Sequence, residues 1–210
     1  MILDFKNLPL GQKTTYVRNY DSSLLVSLNR EDARKRVGVD LNTDSFYGLD
    51  CWTAYELSWL NSSGVPQNSI LYASYSSSSK NFIESKSLKL YLNSLNNTKI
   101  KKKNDLFDLL KTDLSRCVAE EVEIDIVNTP KNFAFDCTSL DKLNLINTDA
   151  EDTVIKDQIL KTSLDKVSEE LSCSLFRSLC PVTGQPDWLS LIHISEPTRR
   201  YAIGYAVVCL

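Results

Sequence analysis

The strongest constraint on the fold is a change of hydrophobic period near residue 84. Before it, Cys51-Trp-Thr-Ala-Tyr-Glu-Leu-Ser-Trp-Leu60 is rich in aromatic side chains, and residues 68–75 (Asn-Ser-Ile-Leu-Tyr-Ala-Ser-Tyr) continue in kind after the break Gly64-Val65-Pro66. Two such runs around a Gly/Pro turn read as a β-hairpin. After Ile83, Leu88, Leu92 and Leu95 recur at i, i+4 and i+7 with Lys86, Lys89 and Asn93 between them. That spacing predicts a helix starting near Ser85. A second helix is expected from Asp105 to about Val118, capped by Asn104, with Leu106, Leu109, Leu110, Leu114 and Cys117 as its apolar stripe. Val122, Ile124 and Ile126 then alternate with Glu123 and Asp125 as a half-buried strand does. Strand, strand, helix, helix, strand makes an α+β unit.

A second, shorter unit follows. The stretch Glu170 to Trp188 reads as another hairpin, and laid on the first with an offset of 120 it sets Ser178 on Ser58, Gly184 on Gly64 and Pro186 on Pro66. The recurrence of Gly-x-Pro in the same context suggests an internal repeat. The expected organisation is an N-terminal extension (1–48), a first repeat (49–128), a linker (129–152), the start of a second repeat (153–189) and a tail (190–210). The extension carries the charged run Arg30-Glu-Asp-Ala-Arg-Lys-Arg36 and is read as wrapped on the domain.

Charge and cysteine usage exclude several functions. Lys and Arg total 24 against 27 Asp and Glu, a net charge of −3, which gives no global field for direct nucleic-acid binding. The six cysteines form no C-x-x-C pair, so neither a zinc ribbon nor a disulfide framework is expected, and they are read as reduced thiols. The N-terminal Met-Ile-Leu-Asp-Phe-Lys breaks any secretory apolar run, and the run Tyr201–Leu210 is far below the ~20 residues of a membrane span, so a cytoplasmic protein is expected. His193 is the sole histidine and is read as structural, with no metal site.

Two stretches can carry chemistry. Where the first hairpin has Leu60 and Gln67, the second has Cys180 and Asp187, a thiol and a carboxylate. A simple hairpin register sets 180 opposite 187 with Cβ atoms ~5 Å apart, and Pro181 and Pro186 stiffen the turn between them. The plainer alternative is a small buried Cys and a turn Asp. In Glu84-Ser-Lys-Ser87, Ser85 is the expected cap, Glu84 favours the positive helix end, and that end can receive an anion such as phosphate. An ordinary capped helix is the alternative. Lys99-Ile-Lys-Lys-Lys103 reads as a solvated loop.

Taken together, Glu84-Ser-Lys-Ser-Leu-Lys-Leu-Tyr-Leu-Asn-Ser-Leu-Asn96, the upstream Trp52-Thr-Ala-Tyr-Glu-Leu-Ser-Trp-Leu-Asn61 and Cys180-Pro-Val-Thr-Gly-Gln-Pro-Asp-Trp188 closely resemble the NADPH-dependent 7-cyano-7-deazaguanine reductases, the nitrile reductases of tRNA queuosine biosynthesis, in their long two-repeat form. The similarity runs from about Leu10 to Trp188. It implies tandem tunnelling-fold repeats, each an antiparallel sheet with helices on one face, the second incomplete here, and a homodimer. It implies Cys180 as the nucleophile that adds to the nitrile carbon and Asp187 as the proton donor. Ile83, Glu84 and Ser85 would bind the deazaguanine, and Ser85 and Lys86 would contact NADPH. Cys180 then needs a lowered pKa to attack as thiolate, and Asp187 needs desolvation, to which Trp188 contributes, to keep its proton.

Leu191 to Leu210 matches nothing expected after Asp-Trp in that family, including its second purine-binding His-Glu pair, and reads as a non-family tail on a truncated chain. Two other functions stand beside the reductase. One is a truncated, non-catalytic homologue that binds a purine-like ligand or packs on a partner; the other is a different tunnelling-fold enzyme acting on a purine or pterin. A zinc-dependent version of the latter lacks ligands in a single-His chain.

Overall fold

In the computed structural model, the residues described are 16–36, 47–131, 138–139, 141, 169–179, 186–195 and 203–209. The long hairpin consists of β2 (Tyr47–Leu60) and β3 (Pro66–Ser76), preceded by a short strand β1 (Ser27–Asn29) and helix α1 (Arg30–Arg36). After β3 come β4 (Asn81–Ile83), α2 (Ser85–Ser94), α3 (Lys103–Val118) and β5 (Glu123–Val127). The remaining strands are β6 (Thr138–Ser139), β7 (Glu169–Leu179), β8 (Pro186–Ser195) and β9 (Ile203–Cys209). The α+β order expected from periodicity is therefore observed.

Seven strands form one sheet in the order β5-β3-β2-β9-β8-β7-β6, while β1 and β4 pair apart from it. The sheet is not purely antiparallel as expected. β2 pairs β9 and β6 pairs β7 in parallel, and the other pairings are antiparallel. Both parallel pairs join strands far apart in sequence, where no tight turn imposes an antiparallel return.

The core lies between the β5-β3-β2 part of the sheet and the two longer helices. On β2 the buried apolar side chains are Trp52 and Ala54, then Leu57 and Trp59, a switch from even to odd positions. A register shift between Ala54 and Leu57 explains it. The bulge inserts a residue, leaves Tyr55 48% exposed and returns Leu57 and Trp59 to the helix side. Leu71, Ala73 and Tyr75 of β3 and Ile126 of β5 line the same core. Across from them stand Leu88, Tyr91, Leu92 and Leu95 from α2 and its end, and Leu106, Leu110, Leu114, Cys117 and Val118 from α3. The stripe expected on each helix is thus the one that faces the core, with Leu109 only half-buried at its edge. The cap of α3 is Lys102 rather than Asn104, because the helix starts earlier, and Asp105 Oδ2 accepts from Lys102 N–H at 3.3 Å.

Residues 20–29 lie against this core, with Tyr20, Leu24 and Leu25 packed on it and Leu28 buried. Their anchor is Asp113, 4% exposed on α3. Its Oδ2 accepts from Tyr20 Oη at 2.6 Å and from Tyr91 Oη at 2.8 Å, and its Oδ1 from Arg116 Nη2 at 2.7 Å. Burial, followed by these contacts with Asp113, pushes both phenols above their ordinary range. Asp113→Ala strands the buried hydroxyl of Tyr91 and the half-buried one of Tyr20 and is expected to cost about 2 kcal/mol of stability. A urea midpoint that moves by under about 1 kcal/mol equivalent would show the network to be idle.

Candidate active site

Ile83 and Glu84 are held by main-chain groups from distant parts of the sequence. Ile83 pairs with Ser27, its N–H donates to Tyr75 Oη at 3.3 Å, and its side chain is 2% exposed. Tyr75 Oη also accepts from Trp52 Nε1 at 3.1 Å. Glu84 N–H donates to the Val26 carbonyl at 3.0 Å. Because β4 remains extended through Ile83, the last non-helical residue is Glu84 (φ −74, ψ 129), and it is the N-cap of α2. Its Oε1 accepts from Lys86 N–H at 3.0 Å and its Oε2 from Ser87 N–H at 2.7 Å.

That arrangement corrects two expectations. Ser85 is not the cap, since it already lies in the first turn of α2. Nor is the helix end open to an outside anion, because the Glu84 carboxylate, 4% exposed, already meets its amides. Ser87, fully buried, completes the frame: its Oγ donates to the Glu84 carbonyl at 2.7 Å and accepts from Val26 N–H at 3.0 Å. Ser85 and Lys86 are partly exposed beside it. Of the roughly four lone-pair positions of a carboxylate, about two remain for a ligand.

The second hairpin is placed by its backbone register. Asp187 stands opposite Ser178 and Pro186 opposite Leu179, so the expected pairing of 180 with 187 does not occur. In the first hairpin the closing pair is Leu60 with Pro66. Leu60 therefore corresponds to Leu179, not to Cys180, and the loop after Leu179 is one residue longer. The offset is 119 on the first strand (Leu57 to Phe176) and 120 on the second (Ser69 to Leu189). With that shift the bulge between Ala54 and Leu57 falls on the bulge between Cys173 and Phe176. Cys180 itself lies outside the described residues.

One chain does not bring Glu84 next to Asp187. Through β9, Ser190 shares a row with Cys51, so Asp187 lies near the row of Ala54, whereas Tyr75, which holds Ile83, pairs with Asp50. About four rows along the strands and three strands across separate them, ~13 Å by ~14 Å.

Among the described residues no three or more His, Cys, Asp or Glu side chains are grouped to hold a metal, and no helix is long and apolar enough to cross a membrane. Cys51, Cys117 and Cys173 are free thiols. Burial pushes the Cys117 thiol from 9.0 to about 11, and burial with the charge of Asp50 raises that of Cys51. Neither is tuned as a nucleophile. Tyr75 is pushed by burial from 10.0 to about 12. The unfolded chain gives up these protons first, so stability is intact below pH 9 and falls as pH rises through the window from 9.0 to about 12. Urea midpoints should be lower at about pH 10.5 than at about pH 8; equal midpoints would contradict these burial effects.

Comparison with known proteins decides the family. Residues 16–126 match the N-terminal domain of the nitrile reductases, the 7-cyano-7-deazaguanine reductases. The chain is 40% identical over 212 residues to the NADPH-dependent 7-cyano-7-deazaguanine reductase of Paraburkholderia phymatum, covering 94% of this chain and 76% of that one. The reductases so named from Legionella pneumophila (40% over 190 residues; 87% and 65%) and Burkholderia cenocepacia (41% over 202 residues; 92% and 72%) are similarly related. The chain belongs to the 7-cyano-7-deazaguanine reductase family. The reductase match begins at Tyr16, so it takes in both Ile83–Lys86 and the segment around Val26 that frames them. Spacing alone gives no hint of Val26, Ser87 or Tyr75 as parts of this site.

Proposed function

We propose that this chain is an oxidoreductase that uses NADPH to reduce the nitrile of 7-cyano-7-deazaguanine to the 7-aminomethyl base, a step of tRNA queuosine biosynthesis. Family membership at 40% identity over most of the chain carries the proposal. The nitrile carbon gains two hydrides and the nitrogen two protons, so each amine formed consumes two NADPH and two protons.

Cys180 supplies the thiolate that adds to the nitrile carbon, giving a thioimide whose C=N bond accepts the first hydride more readily than the nitrile does; the C–S bond then breaks, returning the Cys180 thiolate and leaving an imine that takes the second hydride. Asp187 passes a proton to the nitrogen. Glu84 turns its unshared lone pairs to the N–H groups of the deazaguanine, with Ile83 and Ser85 beside it, a role that its fixed and buried carboxylate suits. NADPH supplies hydride when bound. The Ser85 hydroxyl and Lys86 ammonium suit its polar, phosphate-bearing part, whereas the α2 amides taken by Glu84 do not.

The two hairpins, matched down to their bulges, support reading the fold as tandem tunnelling-fold repeats. The separation of Glu84 from Asp187 supports a homodimer in which two copies complete one site. The free thiols accord with a reducing, cytoplasmic setting, and the net charge of −3 accords with a small deazapurine substrate rather than nucleic acid as the direct partner. The test follows NADPH absorbance with and without the nitrile. Nitrile-dependent oxidation of two NADPH per amine is expected, and a folded protein that shows none would overturn the proposal.

A further inference from the structure

At the turn end of the β2–β3 hairpin lies a cleft of about 500 Å³, within the usual range for a small-molecule site. Its wall is one-sided in charge. Lys101, Lys102 and Lys103 line it with the amides of Asn61, Gln67, Asn68 and Asn128, and no carboxylate is among its lining residues. None of the three lysines is in an ion pair among the described residues. The nearby Asp125 is itself held by Lys131 at 2.5 Å. In a chain of net charge −3 this concentration of positive charge stands out.

Several features make the cleft more than a charged surface. Trp59 and Ile100, 7% and 8% exposed, give it an apolar floor. Asn128 is fixed because its Oδ1 accepts from Ser69 Oγ at 3.1 Å. Ile100 N–H donates to the Leu60 carbonyl at 2.8 Å and Leu60 N–H to the Thr98 carbonyl at 2.9 Å, which ties the lysine segment to the hairpin. The cleft is distinct from the Glu84 frame: Gln67 lies near one end of β3, and Ser76, beyond which Glu84 follows, lies at the other, roughly 30 Å away.

We propose that this cleft is a second ligand site, for a phosphate-bearing nucleotide. The lysines meet the phosphates, the amides meet the polar edge of the base, and the apolar floor supports its ring. The matched registers strengthen the case. The loop at this cleft corresponds to the loop that carries Cys180, and Gln67 corresponds to Asp187. The first repeat therefore has its cleft at the hairpin end that corresponds to the Cys180–Asp187 end of the second, with the acid replaced by an amide, so it binds without reacting. That correspondence rests on the reading of Cys180 and Asp187 given above; the lysine-lined cleft does not.

The experiment is calorimetric titration of the whole protein, with NADP+ held at a few times its Kd so that the cofactor site is already filled, with ADP and, separately, inorganic pyrophosphate, at low and high salt. ADP is expected to bind one site per chain, more weakly as salt rises. The triple variant Lys101→Glu, Lys102→Glu, Lys103→Glu should weaken ADP binding by about tenfold or more, with an unchanged circular dichroism spectrum and an unchanged KM for NADPH. Pyrophosphate binding without ADP preference would replace the nucleotide with a free phosphate ligand and overturn that assignment. Absence of binding by the unmodified protein, or binding kept in the triple variant, would overturn the site. A parallel rise in the KM for NADPH would also overturn it, because the lysines would then belong to the cofactor site. Loss of nitrile reduction in Cys180→Ala with ADP binding intact keeps the two readings apart.

Discussion

Cys180→Ala is expected to abolish the covalent adduct with 7-cyano-7-deazaguanine, read as the loss both of the substrate-sized mass increase and of the thioimide absorbance. Turnover should fall to background with it, because no other group then converts the nitrile into a C=N acceptor. Cys51→Ala and Cys173→Ala are the controls and should retain the adduct. The Cys51 thiol is raised by burial and by Asp50, as Cys117 is by burial, so at neutral pH neither offers much thiolate to compete. An adduct that survives in Cys180→Ala would remove the nucleophile from the mechanism and leave the family assignment untouched.

Asp187→Asn should slow reduction by ~10² or more, the usual scale for a positioned proton donor. The amide keeps the shape of the side chain but has no carboxyl proton to pass on. The loss should fall on kcat and leave substrate affinity closer to the original, since recognition of the purine is assigned to Glu84, some distance away in the same chain. A Glu84→Gln variant measured alongside should show the reverse, a loss concentrated in affinity. Unchanged turnover in Asp187→Asn would mean that the proton reaches the nitrogen from elsewhere.

What was legible in the sequence is what depends on local repetition. Leu88, Leu92 and Leu95 recur on one helical face and are buried there. Gly64-Val65-Pro66 marks a turn that the chain makes, with Gly64 at φ +83, where a side chain would be strained. What was not legible depends on partners far away in the chain. Ser85 looks like the better cap by residue type, yet Glu84 takes the role because pairing between Ser27 and Ile83 keeps the chain extended up to that point. The clasp between Val26 and Ser87 spans 61 positions and leaves no trace in spacing. The bulge at Ala54–Leu57 was hidden for another reason: it breaks the alternation that would announce the strand's inner face. The offset of 120 is right for β8 and one too large for β7, and that single residue makes Leu179, not Cys180, the counterpart of Leu60, and Ser178 the partner of Asp187.

The matching bulges mean that each hairpin can be treated as a cassette with standard ends. Between the bulge and the closing pair the two are of equal length on both strands, and they differ in register only by the added residue at the tip. A six-residue tip from the second could be spliced between Leu60 and Pro66 of the first without altering which side chains face the helices. The tip proposed to carry the nucleophile is then the part whose length evolution could change most cheaply, because the bulge below it absorbs none of the change.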